Sequence, residues 1–148
     1  MKILVSACLL GVGCRYDGAS KPNEKILAWL DRFEWIPVCP EILGGLPTPR
    51  IPAERREDGV FTQDGREVTE QYLRGARETL RLAELYGAKV AVLKARSPSC
   101  GRDEIYDGTF SRTLVPGQGI AAELLTRAGL TVFTEEDFDP ANFCAENL

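Results

Sequence analysis

The chain has no histidine among its 148 residues. That excludes every Cys-His and Ser-His dyad and removes imidazole as a metal ligand. No G-x-G-x-x-G follows a predicted strand, and neither a Walker loop nor a G-x-S-x-G elbow occurs. Dinucleotide, nucleoside-triphosphate and α/β-hydrolase chemistry therefore lose their usual support. Net positive charge is missing too. The 18 Lys and Arg are outnumbered by 22 Asp and Glu, for a net charge of −4. Phosphate binding relies on clustered cations, so a nucleic-acid partner is not expected. No apolar run approaches the roughly 20 residues needed to span a bilayer, so no membrane partner is expected either. The first residues are too short for a secretory signal, and the expected setting is cytoplasmic.

What is present is an ordinary globular balance, 44% hydrophobic and 27% charged, at a length that fits one domain. No internal repeat, low-complexity run or linker interrupts it. Apolar runs predict strands at about 2–7, 34–39, 89–93 and 130–133. A helix is predicted after Pro22-Asn23, capped by Asn23, with Ile26, Leu27 and Leu30 inward and Trp29 flanking. The clearest helix is at about 69–86, where Tyr72, Leu73, Ala76, Leu80 and Ala83 follow a helical period. Thr69 is its expected N-cap and Gly87 its end. A third is expected over about 119–128, with Ile120, Leu124 and Leu125 inward and Gly129 beyond its end. Strands alternating with helices predict an α/β fold, one domain over residues 1–148, with a mostly parallel sheet of about four strands. The insertion from Glu41 to Arg66 is longer than a usual connection. Its turn signals Asp58-Gly59 and Asp64-Gly65 predict a small hairpin or flap. The acidic tail from Glu135 is expected to be loosely held, and Cys144 within it to have no function.

Four of the five cysteines sit where strands end. Cys8 closes the first, with Cys14 in the next loop. Cys39 closes the second, and Cys100 follows the third by a short loop. Ligands of open α/β sheets bind beyond the carboxyl ends of the strands, so these thiols share one expected crevice. In a reducing compartment, loop cysteines more often mean metal or catalysis than disulfides. Thiolates select zinc, copper(I) or iron–sulfur clusters.

The surrounding residues add chemistry. In Cys8-Leu9-Leu10-Gly11-Val12-Gly13-Cys14 the glycines allow a tight turn around a ligand. The alternative is two small buried thiols in a loop. In Val38-Cys39-Pro40-Glu41 a carboxylate follows a thiol closely, and Glu41 is a candidate general acid or base. The alternative is a solvated glutamate. In Ser97-Pro98-Ser99-Cys100-Gly101 either hydroxyl can meet an anion or relay a proton, or simply form the turn. Lys94 and Arg96 are expected to lower the pKa of the nearby thiol, unless they form a solvated basic edge. Arg50, Arg55 and Arg56 are candidates for an anionic substrate group. Gly117-Gln118-Gly119 opens the last helix, whose N-terminus is a candidate anion site.

Taken together, Cys8-Leu9-Leu10-Gly11 with Cys14-Arg15-Tyr16-Asp17-Gly18, Val38-Cys39-Pro40-Glu41 with Gly44-Gly45-Leu46, and Ser97-Pro98-Ser99-Cys100-Gly101 resemble the DUF523 family of thiouracil desulfidases. The resemblance spans nearly the whole chain. It implies a Rossmann-like three-layer sandwich holding a [4Fe-4S] cluster by three cysteines, with the fourth iron open to the sulfur of a thiolated base. Carried over by motif position, the ligands are Cys8, Cys39 and Cys100. Cys14 stands either in place of Cys8 or as a thiol behind it. Glu41 and Ser97 match the acid–base and substrate-handling positions, and Ser99, Arg50, Gly44 and Gly45 are taken as substrate-binding. The implied partner is a small thiolated base, met by a monomer or weak homodimer. Two other functions fit the same residues: a zinc- or cluster-carrying binding module, and a thiol-redox protein.

Overall fold

The computed structural model describes residues 1–141, so Cys144 lies outside the described residues. The chain runs β1 (Lys2–Ser6), a 3-10 turn (Ala7–Leu10), α1 (Glu24–Leu27), β2 (Glu34–Val38), α2 (Pro40–Leu43), β3 (Ala53–Arg56), β4 (Gly59–Thr62), α3 (Thr69–Tyr86), β5 (Val90–Leu93), β6 (Glu104–Tyr106), β7 (Leu114–Pro116), α4 (Ile120–Arg127) and β8 (Thr131–Thr134). The central sheet has the order β2-β1-β5-β8, with every pairing parallel. Successive strand residues point to opposite faces. Ile3, Val5, Val90 and Val92 meet Leu9, Ile26 and Phe138 on one side. Leu4, Ala91, Leu93 and Val132 meet Ala83, Ala122 and Leu125 on the other. The result is the expected three-layer α/β arrangement. From β1 the chain goes first to β2 on one side and later to β5 on the other. The order reverses between β1 and β5, where such folds place their ligand crevice.

α3 has the predicted bounds, and Gly87 ends it in the left-handed conformation at φ 70°. Its start differs. Val68 is the cap residue, and the Thr69 hydroxyl instead accepts from Val60 N at 2.9 Å, tying the helix to β4. The first helix is also shorter than expected. Asn23 caps it, accepting from Ile26 N at 3.1 Å, but it ends at Leu27 and leaves Leu30 45% exposed. The Trp35 indole N–H donates to the Trp29 carbonyl, which a continuing helix would need for itself. The flap is the expected hairpin, β3 paired antiparallel with β4. A second hairpin, β6 with β7, replaces what reads in the sequence as plain loop. Its strands have three residues each, too short for an alternation to register.

The tail begins anchored rather than loose. Glu135 pairs with Lys94 at 2.8 Å, Glu136 pairs with Arg96 at 3.0 Å, and Phe138 is 1% exposed. Phe138 packs edge-on against Trp35 and tilted against Phe133. Emptying that site leaves a cavity beside β1 and β2, so Phe138→Ala is expected to lower unfolding free energy by about 3–5 kcal/mol. Urea unfolding of the cluster-free protein measures it, and a loss below about 1 kcal/mol would show that the tail contributes little.

Candidate functional site

All four described cysteines, Cys8, Cys14, Cys39 and Cys100, line one cavity of about 630 Å³ at the carboxyl ends of the sheet. Cys8 sits in the 3-10 turn directly after β1, and Cys39 is the residue between β2 and α2. Cys100 reaches the cavity from a loop held at two points. The Ser97 hydroxyl accepts from the amides of Ser99 and Cys100, each at 3.1 Å. The first amides of α4 then clasp the loop from below: Ile120 N donates to Pro98 O and Ala121 N to Ser99 O, both at 2.9 Å. These amides are spent on Cys100's own loop, so the N-terminus of α4 is not the anion site the glycines before it suggested.

The thiols fall into two environments. Cys14 touches the thiols of both Cys8 and Cys39. Cys39 is pushed far up by the Cys14 thiol and by burial. For Cys14, contact with Cys39 pulls downward, but the Cys8 thiol, burial and the charge on Cys8 outweigh it, and the net shift is upward. Cys100 accepts from the Ser6 hydroxyl at 3.3 Å and the Ser99 hydroxyl at 3.6 Å. Burial still pushes it up to about 12 against those two donors. Lys94 and Arg96 do not lower it as expected, because Lys94 faces Glu135 and Arg96 faces Glu104 and Glu136. Buried together, these thiols need a compensating cation beside them to ionise, and a bound metal centre would supply it. Among the described residues, no three His, Cys, Asp or Glu side chains converge closely enough to hold a single metal ion.

Glu41 lies in the first turn of α2, not on a solvated loop edge. Its carboxylate is gripped on both oxygens. Oε2 pairs with Arg50 Nη2 at 2.8 Å, with the two side chains only 17% and 5% exposed, and Oε1 accepts from the Tyr72 hydroxyl. Arg50 Nη2 also donates to Cys14 O at 2.9 Å, while Nη1 donates to Pro47 O and Thr48 Oγ1 at 3.2 Å. Nε is buried without a partner. Arg50 therefore holds the acid and the thiol loop, rather than standing free for a substrate. Arg55 is likewise engaged, with Gln118 O and Glu123, and Arg56 lies over the Phe61 ring.

The predicted substrate-binding glycines have another task. Gly44 and Gly75 are the contact between α2 and α3. A Cβ on Gly44 would overlap Gln71 O, and one on Gly75 would overlap Pro40 O. Gly45, at φ 95°, turns the chain after α2. Neither Gly44 nor Gly45 lines the cavity. Gly75→Ala must push α2 and its Glu41 away from α3. It is expected to lower Tm by several degrees although alanine favours helix, and differential scanning calorimetry reads the sign. Ser97 and Ser99 do border the cavity, with their hydroxyls 3.0 Å apart.

The 2-thiouracil desulfurase family matches residues 3–137. The chain belongs to that family. It is 43% identical over 147 residues to YbbK of Bacillus subtilis (strain 168), covering 93% of this chain and 97% of that protein. A solved structure of TudS, a [4Fe-4S]-dependent thiouracil desulfidase, matches with a TM-score of 0.92 at 42% identity over 99% of both chains. For this desulfurase-family site, sequence reasoning missed Tyr72 and Ser6. Both occupy apolar patterns, one on a helix and one on a strand, and read there as core. The one available signal was polar: each hydroxyl in an otherwise apolar pattern needs a buried partner.

Proposed function

We propose that this protein removes sulfur from a small thiolated base of the thiouracil type, with water as co-reactant and sulfide released. The observation that carries it is the delivery of Cys8, Cys39 and Cys100 from three neighbouring strands to one cavity beside a clamped carboxylate. The donor set fits a [4Fe-4S] cluster: only thiols, delivered to one cavity from separate loops. Cys8, Cys39 and Cys100 hold the cluster, and Cys14 is the thiol packed against the first two. Bound by three thiolates, a cluster supplies one iron able to take the substrate's sulfur.

The chain's own residues do the rest. Glu41, oriented by its two donors, takes the proton of a water that attacks the carbon bearing sulfur. The C=S bond is exchanged for C=O, and hydrogen sulfide carries away the two protons of the water. Ser97 and Ser99 hold the base by hydrogen bonds. Phe110 and Tyr106 border the cavity and give a flat ring an apolar wall. Among the described residues no helix is long and apolar enough to cross a membrane. We read the protein as a cytoplasmic monomer or weak homodimer acting on a small molecule.

The competing readings have less support. A closed zinc module needs four protein ligands and no open position, which would leave the clamped Glu41 carboxylate beside it without a role. A redox dithiol would need only two of the thiols and would leave Cys100 and the clamped Glu41 without a role. The test is iron and acid-labile sulfide content after oxygen-free reconstitution, followed by sulfide release from 2-thiouracil. About four of each per chain is expected. Stoichiometric zinc, or a loaded protein that releases no sulfide, would overturn the reading.

A further inference from the structure

We propose that Tyr72 is a positioning residue for the reaction: its hydroxyl, with the Arg50 guanidinium, fixes the plane of the Glu41 carboxylate over the cavity. The inference rests on the desulfidase reading of the same site. Tyr72 is 2% exposed and packs with Val60, Ala76 and Ala121 in an apolar cluster. A phenylalanine would fill that space without burying a hydroxyl. The hydroxyl's hydrogen bond goes to Glu41 Oε1. It faces the cavity end of the ring, and burying it is favourable only because that partner is there.

The backbone is arranged to allow the contact. Gly44 and Gly75 let α2 and α3 approach until the carbonyls of Gln71 and Pro40 occupy the space where side chains would stand. That approach brings the hydroxyl of α3 to the carboxylate of α2. A glutamate side chain is otherwise free to rotate about several bonds. With Arg50 on Oε2 and Tyr72 on Oε1, rotation about the final bond breaks one donor or the other. A misplacement of about 1 Å at a reacting group can cost about 100-fold in rate. Tyr72 borders the cavity, but its hydroxyl is committed to Glu41, and through that carboxylate it acts on kcat.

Tyr72→Phe keeps the ring and removes the hydroxyl. With turnover normalised to iron, kcat is expected to fall about 10- to 100-fold while KM stays within about twofold. In a Glu41→Gln background the same change is expected to cost no more than about twofold further, because the carboxylate it positions is gone. The second readout needs no cluster. In cluster-free protein Tyr72→Phe is expected to lower Tm by about 5 °C, and by less than half of that in the Glu41→Gln background. If Tyr72→Phe does not accumulate as folded protein, Arg50→Lys is read in the same two cycles, with kcat again falling and KM unchanged. A kcat within about twofold of wild type, losses that multiply in the double variant, or a raised KM with kcat unchanged would overturn the clamp. Wild-type protein that is loaded and inactive would instead sink the desulfidase reading, whereas the Tm cycle reports the coupling on its own.

Discussion

Cys8→Ala, Cys39→Ala and Cys100→Ala are each expected to give folded protein that retains no stable cluster and releases no sulfide. The three thiols come from the ends of β1, β2 and β5, so no neighbour on the same loop replaces Cys39 or Cys100. With two thiolates left, a cluster loses the ligation that holds it. The fold itself should survive. Loss of the Cys100 sulfur removes the acceptor of the Ser6 proton but leaves that hydroxyl accepting from Lys94 N at 2.9 Å, a cost of about 1–3 kcal/mol rather than loss of the fold. Cys14→Ala is the informative control. Its thiol touches those of Cys8 and Cys39, yet it lies in the loop beyond the strand end. It is expected to keep the cluster. Iron and sulfide stoichiometry after oxygen-free reconstitution decides the matter. If Cys14→Ala lost the cluster and Cys8→Ala kept it, the two would exchange roles.

Glu41→Gln is expected to keep the cluster and lose turnover by at least about 100-fold, the usual weight of a general base in the transition state. The substitution preserves shape but replaces one accepting oxygen with an amide nitrogen that only donates, and it removes the negative charge and the basicity. It also leaves Arg50, only 5% exposed on its side chain, without its ionic partner. Breaking such a buried pair typically costs about 3–5 kcal/mol, so Tm should fall as well. The kinetic comparison therefore belongs well below the variant's unfolding transition, with rates per iron. Full activity would remove Glu41 from the chemistry and leave it only the task of neutralising Arg50. Glu41→Asp separates the two roles further. It keeps the charge but withdraws the carboxylate by one methylene, and should also be slow.

Much of this was legible in the chain because the signals are local. The lack of histidine leaves thiols as the soft ligands, and their placement after apolar runs puts Cys8, Cys39 and Cys100 at or just beyond strand ends. The 18 residues of α3 and the four parallel strands follow from periodicities of a few residues, which depend on neighbours in sequence. The three cysteine motifs were enough to indicate the family.

What the tertiary structure alone decided are the contacts between residues far apart in sequence. Tyr72 reads as one more apolar position on a helix, and only the docking of α2 on α3 turns its hydroxyl toward Glu41. Gly44 reads from its motif as substrate-binding until Gly75 is found opposite it. Arg50 looks free for a substrate until the fold fills its guanidinium with Glu41 and the Cys14 carbonyl. The α4 N-terminus looks available to an anion until the Cys100 loop occupies its amides. In each case the residue type determined which bonds were needed, and the packing of distant segments chose the partner, because every buried donor and acceptor must be satisfied by whatever the fold brings near.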